Sequence, residues 1–154
     1  GDITEKVAAG YVSLYWGSAM LGRFIGSGIL QKVRTSLALG TAAVAAFALV
    51  CISMLTFGHF AMWSIILVGL FNSIMFPSIF TSGIDQLGPL TSKGSTYLIM
   101  AIVGGAILPE LTGILADKIG IHHAFIIPAI CYLYIIYYGY VGSKPTGPRI
   151  TETA

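Results

Sequence analysis

The sequence is poor in charged residues: Asp, Glu, Lys and Arg make up 9% of its 154 residues, against about a quarter in a typical soluble domain. The formal net charge of +2 is small and its cations are scattered, so we expect no nucleic-acid partner. Hydrophobic residues instead make up 56% of the chain, and the mean hydropathy is +0.87. We therefore interpret the chain as an integral membrane protein whose partner is the lipid bilayer.

Residues that could perform catalysis or hold a metal are equally scarce. Cys51 and Cys131 lie inside apolar runs, where a small buried side chain is a commoner role than a disulfide or a metal ligand. His122 and His123 are adjacent and have no third ligand nearby, which argues against a metal site. No nucleophile–base pair or phosphate-binding loop is recognisable, so we expect neither an enzyme nor a bound cofactor.

The apolar runs predict an all-α, polytopic transmembrane bundle. About 20 apolar residues in a helix cross the roughly 30 Å of hydrocarbon in a bilayer. The transmembrane domain is predicted over residues 11–141, between an extramembrane segment at 1–10 and a tail at 142–154. Its five spans are predicted at about residues 11–30, 35–57, 60–84, 94–116 and 124–141.

Basic residues in the loops predict the orientation of the bundle. Cytoplasmic loops of membrane proteins carry an excess of lysine and arginine. One side of the predicted bundle collects Lys32, Arg34, Lys93, Lys144 and Arg149, whereas the other has only Lys6 and Lys118. We therefore expect a cytoplasmic C-terminal tail.

A weak internal repeat points towards transport. The segment around Gly26 matches the one around Gly113 at an offset of 87 residues, with Arg23 in place of Glu110. An odd number of predicted crossings separates the two copies, so they would be inverted, as in many secondary transporters. Five spans leave one three-helix repeat incomplete, and the chain begins with Gly1. We therefore expect a piece of a longer protein.

Several short motifs occur in one order along the chain. They are residues 22–26 (GRFIG), 76–80 (FPSIF), 94–95 (GS), 99–105 (IMAIVGG) and 127–131 (IPAIC). In these motifs the chain resembles the fucose, glucose and galactose permeases of the major facilitator superfamily. The resemblance covers residues 11–140 and implies that the spans correspond to helices eight to twelve of a twelve-helix transporter, an incomplete C-terminal half.

The resemblance implies a secondary active sugar transporter of the inner membrane that works by alternating access. A proton or a sodium ion would be co-transported, and the absent N-terminal half would be a partner. Phe76 stands where fucose-permease-like members have tyrosine, which favours glucose or galactose as the sugar. One alternative stays open: a non-transporting membrane module that acts only in structure or assembly.

Four residues are candidates for substrate binding. Asn72 and Phe76 lie one helical turn apart and combine an amide with an aromatic face, which suits a sugar; helix packing is the alternative. Arg23 lies within a span and would face a cavity or extend to the membrane surface. Trp16 would line the cavity or anchor the helix at the interface.

Coupling and gating have their own candidates. Glu110 is the only acid inside a predicted span, so it is either a coupling acid or a hydrated group near the outer interface. Pro109 precedes it and could open the helix locally. Gly113, Asp117 and Lys118 match the loop motif of the superfamily, but they fall at the membrane face opposite the expected cytoplasmic gate.

Overall fold

The described part of the chain is helical. The computed structural model of the protein describes residues 5–85 and 87–144, with side chains from residue 9 onward. Its long helices are α1 (Glu5–Leu30), α2 (Thr35–Leu55) and α3 (His59–Ile84), followed by α4 (Thr91–Ala101), α5 (Gly104–Ile119), α6 (Ile121–Ala124) and α7 (Ile126–Tyr137). A 3₁₀ turn at Gly88–Leu90 precedes α4, and a π-helical turn at Tyr138–Gly142 follows α7.

The predicted ends of the chain are only partly described. Helix α1 already begins at Glu5, inside the segment 1–10 that was predicted to lie outside the membrane. Most of the predicted tail at 142–154, with the side chains of Lys6 and Arg149, lies outside the described residues.

Glycines set two of the turns. Gly58 joins α2 to α3 and has a φ of +69°, and Gly120 ends α5 with a φ of +87°. Side chains other than hydrogen strain such left-handed conformations, so glycine is the favoured residue there. The amide of Gly120 also donates to the carbonyl of Ala116 at 2.9 Å, which closes the last turn of α5. The three residues between Leu55 and His59 thus form a tight hairpin between α2 and α3.

Four described segments are long and apolar enough to cross a membrane: Thr35–Leu55, His59–Ile84, Gly88–Ile119 and Ile121–Gly142. Helix α1 is not among them, although its 26 residues would extend about 39 Å. Arg23 and many small or polar residues lower its hydropathy. The predicted span at 11–30 is therefore a helix without the uniform apolar character of the other four.

The predicted span at 94–116 is interrupted. Helices α4 and α5 meet at a turn over residues 102–103. The amide of Ile102 donates to the carbonyl of Ile99 at 3.1 Å, and that of Gly105 donates to the carbonyl of Ile102 at 2.8 Å, as in a 3₁₀ helix. Glycines 104 and 105 weaken the helix here, and Pro109 removes an amide one turn later. The sequence predicted an opening of the helix at Pro109. The irregular turn instead lies at residues 102–103, ahead of Pro109.

The core is centred on α2, which packs between α3 and α7. Its buried residues form one stripe that meets buried residues of the two neighbouring helices. The stripe consists of Leu39, Ala42, Ala43, Ala46 and Val50, and it meets Val68, Met75, Ala129 and Tyr132. Small residues along α2 let the helices approach closely, which is how membrane helices gain packing energy.

Helix α1 crosses α3 on small residues spaced four apart. The hydroxyl of Ser18 donates to the carbonyl of Ile66 at 2.7 Å, which joins the two helices by a hydrogen bond. Farther along, Gly22 is buried against the backbone of Leu70, and Gly26 is buried against the side chain of Ile74. The crossing fixes the first span against the third.

By contrast, no described residue of α4 or α5 is buried. Helix α4 contacts α3, and α5 contacts α6 and α7. Among the described residues, no other helix comes close to Gly104 or Gly105, since a Cβ at either position would meet nothing within 4 Å. The predicted span at 94–116 therefore has most of its surface uncovered by the other described helices.

Candidate functional site

Asn72 joins three helices through its side-chain amide. The hydroxyl of Tyr132 on α7 donates to the Asn72 Oδ1 at 2.7 Å. On the other side, the Asn72 Nδ2 donates to the hydroxyl oxygen of Tyr15 on α1 at 3.3 Å. Asn72 itself lies on α3 and is half-buried. The amide of Asn72 therefore connects neighbouring helices, which is the helix-packing role that the sequence left open beside sugar binding.

This network leaves the amide with unused capacity. A side-chain amide has two N–H donors and a carbonyl oxygen that can accept two hydrogen bonds. The network uses one donor and one acceptor of Asn72. One of each remains for a hydroxylated ligand, so the packing role does not exclude the binding role. Because Tyr15 accepts from Asn72, its own hydroxyl proton is also free to point elsewhere.

Phe76 lies in a groove between α3 and α4. The groove has a volume of about 300 Å³ and is lined by Phe76, Ile79, Phe80, Leu98, Ala101, Ile102 and Gly105. The rings of Phe76 and Phe80 have their centroids 6.3 Å apart with a tilt of 36°. Phe76 is 57% exposed, so much of its side chain is accessible. Asn72 does not line this groove, and the described residues do not place the two candidates in one cavity.

Arg23 and Trp16 both lie on exposed parts of α1. Arg23 lines a cavity of about 150 Å³ between α1 and α3, together with Ser27, Ser73 and Pro77 among others. Trp16 is 63% exposed and meets the ring of Tyr15 edge-on, with centroids 5.9 Å apart. Neither residue contacts Asn72 through a hydrogen bond among those that the described residues form. Tyr15, next to Trp16, is the member of this region that reaches the network.

The candidates for coupling and gating lie apart from these groups. Glu110, Gly113, Asp117 and Lys118 are all exposed on α5. A Cβ at Gly113 would meet nothing within 4 Å, so this glycine makes no close approach within the described residues. The structure thus does not bring Glu110 together with Asn72 or Phe76.

Two functional features were not predicted from the sequence. The first is the pair of tyrosines, Tyr15 and Tyr132, that hold Asn72 through hydrogen bonds. The second is His122, whose side chain contacts the end of α2 and the turn that follows it. Its Nδ1 lies 3.0 Å from the carbonyl oxygen of Ser53, and the centroid of its ring lies 4.6 Å from that of Phe57. A carbonyl only accepts, so Nδ1 carries the proton. Among the described residues, no group of three metal-ligating side chains is present.

His122 also lines an apolar cavity of the described bundle. This cavity has a volume of about 520 Å³ and lies between α1, the hairpin at Gly58 and the start of α6 and α7. Tyr15 lines it as well, so the hydroxyl that accepts from Asn72 borders this space. The Asn72 network therefore connects the interior of the bundle with a cavity at its less basic end.

Comparison with known proteins finds relatives among sugar transporters. No family model matches the chain. It is 52% identical over 142 residues to a glucose/galactose transporter of Brucella abortus, covering 92% of this chain and 34% of the relative. It is 39% identical to a putative glucose/galactose transporter of Helicobacter pylori, covering 93% and 36% of the two chains. An L-fucose-proton symporter of Escherichia coli is 34% identical, with coverage of 86% and 31%.

A solved structure agrees with these relatives. The chain superimposes with a TM-score of 0.87 and 32% identity on a crystal structure of the major facilitator superfamily transporter FucP in the outward conformation. The match covers 94% of this chain and 35% of the other. The chain is a homologue of major facilitator superfamily sugar transporters.

These similarities confirm the resemblance carried by the motifs and the all-α fold predicted from the apolar runs. The relatives are transporters and not enzymes. The chain spans about a third of the length of the curated relatives that it matches, in line with the expected piece of a longer protein.

Proposed function

We propose that the chain is the C-terminal portion of a secondary active sugar transporter. It would work in the inner membrane by alternating access, together with an N-terminal half, and glucose or galactose would be its substrate in preference to fucose. The observation that carries the proposal is the gradient of identity: 52% to a glucose/galactose transporter against 34% to an L-fucose-proton symporter.

The groove beside Phe76 supports a sugar as the ligand. Sugar rings have an apolar face that packs on aromatic side chains, and polar groups nearby then fix the hydroxyls. Phe76, which is 57% exposed, and Phe80 place aromatic rings along a groove of about 300 Å³. Asn72 lies one turn away on the same helix and has one donor and one acceptor unused. We propose that movement between transporter states brings both residues to the sugar.

Coupling to a proton or a sodium ion is the second part of the proposal. Glu110 is the acid that the sequence places within a span, and it lies on the exposed surface of α5 after an irregular turn. A carboxyl group on an uncovered helix is open to a partner in the rest of a longer protein. We also propose that the C-terminal end of the chain is cytoplasmic. Arg34 and Lys144 border one pocket, so these two basic residues lie at the same end of the bundle.

Sugar uptake into cells that express the full-length protein tests the proposal. Labelled glucose and galactose should accumulate, whereas fucose should not. Phe76→Ala should reduce uptake about threefold to tenfold, the equivalent of one lost ring contact. Phe60→Ala is the matched control, because Phe60 lies on the same helix, is 79% exposed and does not line the groove.

Glu110→Gln separates binding from coupling. This variant should retain exchange of labelled for unlabelled sugar and lose accumulation against a gradient, because the amide cannot bind and release a proton or attract sodium. If wild-type cells show no uptake of any sugar, the alternative of a non-transporting membrane module is correct. If Phe76→Ala and Phe60→Ala behave alike, the groove is not part of the sugar site.

A further inference from the structure

A polar pocket lies where three helix ends meet. It has a volume of about 600 Å³ and is bordered by the start of α2, the end of α3 and the residues after the π-turn. All its lining residues carry a charge or a hydroxyl, in a chain that is 56% hydrophobic. Two cations, Arg34 and Lys144, and one acid, Asp85, are among them.

The hydroxyl groups of the pocket include two that can only accept further hydrogen bonds. Thr81 donates its hydroxyl proton to the carbonyl of Pro77 at 2.8 Å. Ser143 donates to the carbonyl of Gly139 at 3.0 Å. The free lone pairs of these two hydroxyls and the Asp85 carboxylate can accept hydrogen bonds from a ligand. The side chains of Arg34 and Lys144 can donate hydrogen bonds to it. A ligand that matches the pocket therefore needs both an anionic group and a hydrogen-bond donor.

The depth of the pocket matches the headgroup region of a bilayer. Arg34 directly precedes the apolar helix Thr35–Leu55, and Asp85 directly follows α3. Lys144 comes just after the apolar segment that ends at Gly142. Charged residues at the ends of membrane-spanning helices lie at the level of the lipid phosphates. All three charged side chains are also exposed, so a ligand can reach them.

We propose that this pocket binds a zwitterionic phosphoester with a terminal ammonium group, the chemistry of a phosphoethanolamine headgroup. Arg34 and Lys144 would bind the phosphate oxygens, as cations bind phosphate throughout proteins. Asp85 and the accepting hydroxyls would bind the ammonium. The two cations and the one acid of the lining therefore give each charge of the zwitterion a partner of opposite sign.

Lipid retention measured by native mass spectrometry tests the site on the full-length protein. The protein is purified in detergent and mixed in turn with phosphatidylethanolamine, phosphatidylglycerol and phosphatidylcholine. Phosphatidylethanolamine should be retained most strongly, because phosphatidylglycerol lacks the ammonium and phosphatidylcholine has no N–H donor. Arg34→Gln or Lys144→Gln should weaken its retention about tenfold or more, as expected for a charged hydrogen bond.

Lys93→Gln is the matched control. Lys93 is an exposed cation on α4 in the same group of basic residues, and it does not line the pocket. The Asp85→Asn variant should lose the preference for phosphatidylethanolamine over phosphatidylglycerol while it keeps its affinity for the phosphate. Because these side chains are exposed, their replacement leaves the helix packing intact, and unchanged thermal unfolding in phosphatidylcholine verifies this.

Soluble glycerophosphoethanolamine distinguishes the two sources of the headgroup. If it displaces the lipid, the pocket recognises the headgroup alone and a soluble phosphoester can occupy it; if only the lipid is retained, the membrane is the source. Equal retention of all three lipids by the wild type, or equal losses in Arg34→Gln and Lys93→Gln, overturns the proposal. The measurement does not depend on transport, so the site stands or falls separately from the proposed sugar transport.

Discussion

The contact between Gly40 and Gly139 gives a sharp prediction of stability. A Cβ added at Gly139 would lie 2.8 Å from both the Cα and the N of Gly40. Ordinary van der Waals contact begins at 3.4 Å, so α2 and the π-turn would have to separate by about 0.6 Å. No change of rotamer can relieve a clash with backbone atoms, and α2 is the centre of the core. We expect Gly139→Ala to lower the free energy of unfolding by about 1–3 kcal/mol.

Gly17 provides the control for this substitution. A Cβ at Gly17 would meet nothing within 4 Å, and the residue lies in the interior of α1. Alanine is favoured over glycine in a helix by about 0.5–1 kcal/mol, so Gly17→Ala should be neutral or stabilising. Thermal unfolding of the full-length protein in detergent measures both variants. If Gly139→Ala unfolds at or above the wild-type temperature, the backbone contact does not exist as described.

Other interhelical contacts lead to two more predictions. Tyr132→Phe removes the hydrogen bond to Asn72 and should cost about 0.5–1.5 kcal/mol of unfolding free energy. Combined with Asn72→Ala in a double-mutant cycle, its effect should be smaller than the sum, and strict additivity would contradict a direct bond. His122→Ala should cost about 1 kcal/mol through its lost bond to the α2 carbonyl. His123→Ala, at an exposed neighbour, should be neutral, and similar effects of the two histidine substitutions would disprove the role of His122.

Two of the apolar helices, α2 and α3, were predictable from the sequence. The spans predicted at 35–57 and 60–84 differ by at most two residues at either end from α2 (Thr35–Leu55) and α3 (His59–Ile84). Both segments are long, almost free of charge and separated by a glycine that favours a left-handed turn. Hydropathy and turn chemistry point to the same boundaries, so the local sequence determines them.

Other elements depend on properties that hydropathy does not report. Apolar character is continuous through residues 94–116, yet the helix changes its hydrogen-bonding pattern at residues 102–103. Helix α1 is helical over 26 residues although Arg23 and its glycines lower its hydropathy. Its small residues are explained only by the neighbouring α3, whose backbone comes close to Gly22. That neighbour is distant in sequence and cannot be inferred from α1 alone.

The candidate site was predicted in its residue types but not in its connections. Asn72 was recognised as a polar residue in an apolar span, because such residues bind either a ligand or a neighbouring helix. Its partners, Tyr15 and Tyr132, are 57 and 60 residues away along the chain. Tyr132 is only 8% exposed, and nothing in the sequence around it indicates that burial. Pairing across helices carries no local signal, so only the folded bundle reveals it.

Asn72 also shows why packing and binding need not be separate roles in a transporter. An amide that binds a ligand must be held in one orientation, and the bonds to Tyr15 and Tyr132 provide that restraint. These partners come from the first and the last described spans, whereas Asn72 belongs to the third. Any movement of α1 or α7 relative to α3 would therefore change the orientation of the amide. A sugar bound to its free donor and acceptor would in turn favour one arrangement of the three helices, which is the physical requirement for coupling binding to a conformational change.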